Sequence, residues 1–229
     1  MSKAAIGLTV MNEPNWRTIP ELIDASAQTY GPLQALVDGE VNWSFLELRE
    51  AIYQAAKALI SSGIKSGDKI AIWAPNTWEW IVAALGVHVA GAILVPINTR
   101  FKGKEAAYVI EQAEAKVLFT VTDFLDTNYV DLLKEVQADK KIDEIIVLRG
   151  SSTKGTIQFE KFLERATACK QKEFAQRKGS VAGEDLCHIM FTSGTTGAPK
   201  GAMLTRAAVV RSYNDWADII GLEQGDRYL

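Results

Sequence analysis

The residues with the clearest chemical potential lie between positions 192 and 201, which read Thr-Ser-Gly-Thr-Thr-Gly-Ala-Pro-Lys-Gly. This stretch, called the phosphate loop below, holds four hydroxyl side chains, three glycines and one lysine. Glycine allows the backbone to approach a ligand closely, so that successive N–H groups can converge on an anion. The hydroxyl groups and Lys200 add further donors, and Pro199 restricts the turn before the lysine. The stretch is therefore predicted to bind the phosphates of a nucleotide.

A polar loop of this composition can also be an ordinary surface loop. The apolar run within 185–191 favours the binding function, because it predicts a strand that leads directly into the loop. The loop differs from the P-loop pattern, since Gly201 stands where Ser or Thr must follow the lysine, and it lacks the G-x-G-x-x-G spacing. A P-loop NTPase and a Rossmann dinucleotide site are both disfavoured.

The elements that position this loop alternate between strands and helices. Short apolar runs predict strands at 69–73, 92–95, 116–121 and 144–148, and the segments between them predict helices at 77–90, 105–112 and 124–137. Strands alternating with helices are typical of βαβ units. The sequence therefore predicts an α/β fold of layered sheets with flanking helices, and a polar surface loop at 150–155.

Local signals mark the starts of several elements. Capping boxes, in which a short polar residue is followed three positions later by glutamate, predict three helix starts. The three pairs are Thr18 with Glu21, Ser44 with Glu47, and Asn76 with Glu79. Asp38-Gly39 between two apolar runs predicts a β-hairpin. The uncharged segment 81–97 predicts a helix that ends at Gly91 and then a short strand, and not a transmembrane span.

Composition limits the classes of partner. The chain has 25 Lys and Arg against 28 Asp and Glu, a net charge of −3, which argues against nucleic acid as the main partner. The basic segment 165–178 is predicted to be a solvated face, with a phosphorylated ligand or an anionic membrane surface as the alternative. Cys169 and Cys187 lack metal-site spacing and are predicted to be reduced thiols. Without a signal-peptide pattern at the start, the sequence predicts a cytoplasmic location.

The histidines and tryptophans are predicted to pack. His88 lies in the middle of an apolar helix and suits a core or subunit-facing position, and His188 lies in the strand before the phosphate loop. Trp73, Trp78 and Trp80 suit the core better than a base-stacking platform, because no clustered positive charge accompanies them.

The phosphate loop resembles the signature loop of the adenylate-forming enzymes, which include acyl-CoA synthetases, luciferases and peptide-synthetase adenylation domains. Three further stretches resemble the same family: Trp43-Ser44-Phe45-Leu46-Glu47-Leu48, Gly67-Asp68-Lys69-Ile70-Ala71-Ile72 running into Pro75-Asn76, and Pro96-Ile97-Asn98-Thr99-Arg100. The resemblance covers nearly the whole chain and is greatest to bacterial ligases for fatty or steroid-derived acids. Arg206 departs from it, since the family often has a histidine after the residue equivalent to Thr205.

The resemblance implies an ATP-dependent acid–CoA ligase. A carboxylate attacks the α-phosphate of ATP, giving an acyl-adenylate and pyrophosphate, and the thiol of CoA then displaces AMP. Magnesium accompanies ATP. The contacts that the family's loop makes with the β- and γ-phosphates carry over to Thr192, Ser193, Gly194, Thr195, Thr196, Gly197 and Lys200. The resemblance assigns no catalytic residue and no metal ligand to this chain.

The resemblance also implies that residues 1–229 form the opening portion of the large N-terminal domain of such an enzyme, because the family's later motifs have no counterpart here. We therefore expect a fragment that is inactive by itself. Two alternatives stay open, namely another adenylating enzyme such as a peptide-synthetase domain, and a non-catalytic nucleotide-binding or interaction module. Oligomer formation and peripheral membrane contact also stay open.

Overall fold

The computed structural model describes residues 16–192 and 198–228. Within these residues the chain forms eight α-helices and nine strands. The helices are α1 (Ile19–Tyr30), α2 (Phe45–Ser61), α3 (Trp78–Val89), α4 (Gly103–Ala113), α5 (Tyr129–Glu135), α6 (Phe159–Leu163), α7 (Gln171–Gly179) and α8 (Arg206–Ile220). The strands are β1 (Gln34–Asp38), β2 (Val41–Ser44), β3 (Lys69–Trp73), β4 (Ile93–Pro96), β5 (Val117–Val121), β6 (Glu144–Arg149), β7 (Thr156–Gln158), β8 (Leu186–Thr192) and β9 (Lys200–Thr205).

Seven of these strands form one sheet in the order β7-β6-β5-β3-β4-β8-β9. All neighbouring pairs are parallel except β8 and β9, which form an antiparallel pair at one edge. The central strands are almost completely buried, as expected for a parallel sheet covered on both faces. Contacts group α2 with α3 and α4 with α5, and β1 and β2 form a separate hairpin. The predicted α/β fold is confirmed.

Local capping signals behave as predicted at two helices. Thr18 and Ser44 each accept a hydrogen bond from the backbone of the glutamate three residues later, and that glutamate bonds back to the cap. The Asp38-Gly39 hairpin is confirmed, with Val41 opposite Asp38. Gly91, whose φ is +76°, lies just past the end of α3 as predicted.

The predicted capping box at the start of α3 is wrong. Thr77 is the N-cap, and its side chain accepts from the backbone N–H of Trp80. The carboxylate of Glu79 instead accepts a hydrogen bond of 2.7 Å from the guanidinium of Arg149, which also donates at 2.6 Å to Asp38. Because Glu79 is only 5% exposed, its charged carboxylate requires a partner of opposite charge, and the ion pair with Arg149 forms in place of the predicted capping contact.

The predicted helix at 124–137 is too long. Leu125 and Asp126 both have positive φ, which an α-helix excludes. Asn128 then caps α5 by accepting from the backbone N–H groups of Val130 and Asp131, and Gln137 with φ of +57° lies beyond the helix. Asn128 is a strong N-cap signal that the apolar periodicity concealed. The strand β7 and the helix α6, which follow the confirmed polar loop at 150–155, have no predicted counterpart.

Candidate functional site

The two ends of the phosphate loop meet across a strand pair. Thr192 is the last residue of β8, Lys200 is the first residue of β9, and the two lie opposite each other in the antiparallel register. Both are exposed. The predicted phosphate contacts Ser193, Gly194, Thr195, Thr196 and Gly197 lie outside the described residues.

The strand β8 ends at the edge of the sheet where ligands bind in open α/β folds. The strands β4 and β8 are parallel, with Leu94 opposite His188, so their carboxyl ends point the same way. In such sheets the carboxyl edge is the usual place for a ligand, because the connections that follow the strands gather there. The carboxyl end of β8 thus places Thr192, and its register partner Lys200, at this edge.

Tyr108 of α4 contacts the residue that precedes Lys200. The hydroxyl of Tyr108 in α4 donates a hydrogen bond of 3.2 Å to the carbonyl of Pro199. Its ring meets that of Phe191 edge to face, with the centroids 6.5 Å apart. No pattern in the sequence pointed to Tyr108, because the contact joins residues that are 91 positions apart.

Gly201 serves close packing in β9. A Cβ atom at this position would lie 2.8 Å from Cγ2 of Ile189 and 3.2 Å from Cζ of Phe191. Both side chains belong to the neighbouring strand β8, and Phe191 is the direct register partner of Gly201. The absence of a side chain therefore lets the two strands that support the loop pack without displacing Phe191.

The segment after β4 is fixed at the same edge. Nε1 of Trp73 donates to the carbonyl of Asn98 at 3.1 Å, and the hydroxyl of Tyr129 donates to the carbonyl of Thr99 at 2.9 Å. The rings of Trp73 and Tyr129 stack with their centroids 4.0 Å apart. This confirms the predicted core position of Trp73, while Trp78 and Trp80 are partly buried and pack against the same core.

A mostly apolar cavity of about 500 Å³ opens beside β8. Its walls come from α3, β4, β8, β9 and α8. The lining residues are Trp80, Leu94, Pro96, His188, Met190, Leu204, Ala208, Val209, Ser212 and Tyr213. His188 is the histidine on this wall, and burial together with the positive charge of Arg206 lowers its pKa to about 4, so its imidazole is neutral at neutral pH.

His88 and Cys187 lie directly behind His188. Nε2 of His88 is 3.0 Å from Nε2 of His188, and Sγ of Cys187 is 3.7 Å from Nδ1 of His88. Burial lowers the pKa of His88 well below its usual value and raises the pKa of the Cys187 thiol to about 11. His88 is 2% exposed, so its predicted core position is confirmed. His188 is half-buried and lines the cavity as well as packing.

Arg206 is fully buried beside this cluster. Its guanidinium donates to the backbone carbonyls of His88 at 3.4 Å and Ala92 at 3.2 Å, and Nε has no partner among the described residues. Burial lowers the pKa of Arg206. Arg206, which departs from the family pattern, therefore connects the start of α8 to the end of α3 and to the residue before β4.

The basic segment 165–178 is only partly the solvated face that was predicted. Arg165 forms a paired contact with the carboxylate of Glu144 at 2.7 and 2.8 Å. Arg177 donates to two backbone carbonyls, and Lys178 donates to Asp24 at 2.5 Å. These three side chains are half-buried and brace neighbouring elements, whereas Lys170 and Lys172 are exposed.

None of the helices in residues 16–192 and 198–228 combines the length and the apolar character required to cross a bilayer.

Comparison with known proteins agrees with the resemblance of the loop. The profile of the family described as AMP-binding enzyme matches residues 23–229. A propanoyl:CoA ligase from Rhodococcus jostii, whose acyl group carries a methyl-dioxo-octahydroindene ring system, is 33% identical over 216 residues. A mitochondrial medium-chain acyl-CoA ligase from Rattus norvegicus is 30% identical over 216 residues. The matches cover 93% and 86% of this chain but only 42% and 35% of the relatives.

Solved structures share the fold. A putative long-chain-fatty-acid CoA ligase from Rhodopseudomonas palustris superposes with a TM-score of 0.75 at 21% identity, covering 91% of this chain and 49% of that one. The anthranilate CoA ligase AuaEII, solved with anthranoyl-AMP, gives a TM-score of 0.70 at 22% identity, covering 85% of this chain and 36% of that one. The family profile matches most of the chain and includes the phosphate loop at the carboxyl end of β8, so this chain belongs to the AMP-binding enzyme family.

Proposed function

We propose that this chain is the phosphate-binding part of an ATP-dependent acid–CoA ligase, and that residues 1–229 form the opening portion of its large N-terminal domain. In the first step a carboxylate oxygen of the acid attacks the α-phosphorus of ATP, and the bond to the bridging oxygen of pyrophosphate breaks. In the second step the thiol of CoA attacks the acyl carbon, AMP leaves, and a thioester forms. The names of the two relatives given above, both CoA ligases, support this reaction.

The observation that carries the proposal is the pairing of Thr192 with Lys200 at the carboxyl edge of the sheet. Between these two residues lie seven others, of which five are glycine or carry a hydroxyl group. We assign the contacts with the β- and γ-phosphates to Thr192, Ser193, Gly194, Thr195, Thr196, Gly197 and Lys200. Tyr108 and Gly201 support the loop and are assigned no phosphate contact.

Lys200 has the chemistry required by the first step. Negative charge accumulates on pyrophosphate as it leaves, and a fixed ammonium group stabilises that charge more in the transition state than in bound ATP. Among residues 16–192 and 198–228, no carboxylate lies within ion-pair distance of Lys200, so its charge is available to a ligand. The loop contains no carboxylate, and we therefore expect Mg²⁺ to enter as a complex with ATP.

The acid is proposed to be fatty or steroid-derived, by analogy with the relatives from Rattus norvegicus and Rhodococcus jostii. The cytoplasm is the proposed location. Both cysteines, Cys169 and Cys187, are unpaired thiols, which fits a reducing compartment.

The test is acid-dependent exchange of labelled pyrophosphate into ATP, measured with a protein of the relatives' full length that contains this chain. Lys200→Ala should slow the exchange by roughly 100-fold or more, because a preorganised charge at the leaving group is lost. Lys200→Arg, which keeps the charge, should recover part of the rate. Lys154→Ala is the matched control, since Lys154 is an exposed lysine next to β7 at the opposite edge of the sheet.

Unchanged exchange in Lys200→Ala would remove the role assigned to this lysine. Exchange without formation of a CoA thioester would instead identify another kind of adenylating enzyme. No exchange with any acid, together with retained ATP binding, would favour a non-catalytic nucleotide-binding module.

A further inference from the structure

Three side chains with metal-binding atoms meet behind the cavity wall, outside the phosphate loop. His88 belongs to α3, and Cys187 and His188 are neighbours on β8. One ligand atom from each residue lies within 4.8 Å of the other two. The chain has two histidines in total, and both are in this cluster together with one of its two cysteines.

The cluster is accessible from one side. His88 and Cys187 are buried, whereas His188 is half-buried and forms part of the wall of the 500 Å³ cavity. A small ion can therefore reach the imidazole of His188 from solvent, with two further donors behind it. The cavity also leaves room for a water molecule on the open side of the cluster.

We propose that His88, His188 and Cys187 form a binding site for a divalent transition-metal ion of the zinc class. Imidazole nitrogen and thiolate sulfur are the donors that zinc prefers, and three protein ligands with one solvent position are a common arrangement. In a tetrahedral site with Zn–N bonds of about 2.0–2.1 Å, two ligating nitrogens lie roughly 3.3–3.4 Å apart. The two Nε2 atoms are 3.0 Å apart, and the sulfur of Cys187 contacts Nδ1 of His88 at 3.7 Å. Binding therefore requires the two Nε2 atoms to separate by a few tenths of an ångström and the imidazole rings to turn until both nitrogens and the sulfur face one point.

The bonding changes balance as follows. The metal forms one bond to Nε2 of each neutral imidazole and one to the sulfur of Cys187, and the thiol proton passes to solvent. Once the thiol has lost its proton, it no longer donates a hydrogen bond to Nδ1 of His88. The proton shared between the two Nε2 atoms therefore moves to this Nδ1 atom. Water fills the fourth position from the cavity.

Burial and the charge of Arg206 act in opposite directions on the Cys187 thiol. Burial raises its pKa to about 11, and the guanidinium of Arg206 offsets part of this effect and so favours the thiolate that the metal requires, although the same guanidinium opposes a dication. The thiolate cancels one of the two positive charges that the ion brings. The alternative arrangement is a hydrogen-bond chain without metal, in which Cys187 donates to Nδ1 of His88 and Nε2–H of His88 donates to His188.

Titration of the full chain with Co²⁺, after treatment with a chelator, separates these alternatives. We expect one Co²⁺ per chain and a sulfur-to-cobalt charge-transfer band in the near ultraviolet, both displaced by Zn²⁺. Zn²⁺ should also raise the Tm, because the three ligands come together only in the folded chain. These measurements use the unaltered protein, so a folding defect cannot explain a negative result.

Variants then assign the ligands. Cys187→Ala should abolish the charge-transfer band, and His188→Gln should weaken Co²⁺ binding more than tenfold. Cys169→Ala is the matched control, because Cys169 is the other free cysteine and lies outside the cluster, so band and affinity should be unchanged.

The proposal is overturned if the unaltered chain shows no charge-transfer band. It is also overturned if Cys187→Ala or His188→Gln binds Co²⁺ as tightly as the unaltered chain. Because neither measurement involves ATP or an acid, the outcome is independent of the proposed ligase reaction.

Discussion

The hydroxyl of Tyr108 in α4 donates to the carbonyl of Pro199, one residue before Lys200. Through this single bond α4, which lies between β4 and β5 in the sequence, contacts the segment that leads into β9. The half-buried ring of Tyr108 also packs edge to face on Phe191, which immediately precedes Thr192. Tyr108 therefore contacts both sides of the loop while making none of the proposed phosphate contacts.

Tyr108→Phe should weaken ATP binding and leave the fold intact. The ring contact with Phe191 is kept and one hydrogen bond is lost, which is worth about 1 kcal/mol, or roughly fivefold in affinity. We expect the KM for ATP in pyrophosphate exchange to rise by that factor. Tyr30→Phe is the control, since Tyr30 is an exposed residue whose hydroxyl has no hydrogen-bond partner among the described residues. An unchanged KM would mean that the bond to Pro199 does not position the loop.

Gly201→Ala should destabilise the pair of strands that carries the loop. The added methyl group would meet Ile189 at 2.8 Å and Phe191 at 3.2 Å, so one of these side chains must move, at a cost of roughly 1–3 kcal/mol. Urea unfolding measures the loss. Gly179→Ala is the matched control, because nothing lies within 4 Å of that position and its φ is not positive, so it should be neutral or slightly stabilising. Equal stability of the two variants would contradict the packing role of Gly201.

Arg206→Met should be tolerated far better than Arg206→Ala. The guanidinium is buried without a carboxylate within ion-pair distance among the described residues, so its removal relieves a desolvated charge and breaks no ion pair. Methionine fills most of the space and loses the bonds to two carbonyls, for a net change within about 1 kcal/mol. Alanine leaves a cavity and should cost about 2–4 kcal/mol. If urea unfolding gives both variants the same loss, the carbonyl contacts matter more than packing.

Asp38→Asn should flatten the acid dependence of stability. The backbone N–H of Trp78 and the guanidinium of Arg149 hold the pKa of Asp38 below its usual value of 3.8. A carboxyl group with a lowered pKa stabilises the fold above its unfolded-state pKa, and this contribution disappears as the pH falls through the folded-state pKa. The variant should lose about 1 kcal/mol at pH 7 and progressively less below pH 3.8.

Urea unfolding at neutral pH and in steps down to about pH 3 checks this dependence, because the contribution is lost only as the pH falls below the unfolded-state pKa of about 3.9 towards the lower folded-state pKa. Asp218→Asn is the control, since Asp218 is an exposed aspartate on α8. A difference between Asp38→Asn and the unaltered chain that stays constant with pH would show that the charge of Asp38 does not contribute.

The sequence by itself determined the type of fold and the place of the loop. Apolar runs such as 69–73 and 144–148 are local signals, and each becomes a strand because burial on both faces of a parallel sheet demands continuous apolar side chains. Caps such as Thr18 and Ser44 also act through the nearest turn of backbone. The run before Thr192 also predicted β8, although this strand buries mainly one face, with Cys187 and Ile189 buried and Met190 exposed.

Only the tertiary structure decided the contacts between distant residues. Glu79 fits a local cap by its spacing, yet Arg149, which lies 70 positions away, takes its carboxylate. Tyr108 reaches Pro199, and His88 reaches His188, only because the strand order places β4 next to β8. That order minimises the free energy of the whole sheet, which is a sum over many long-range contacts and leaves no periodic signal in the chain. Local chemistry thus located the phosphate loop, whereas its tyrosine support and the histidine–cysteine cluster depend on packing between elements far apart in sequence.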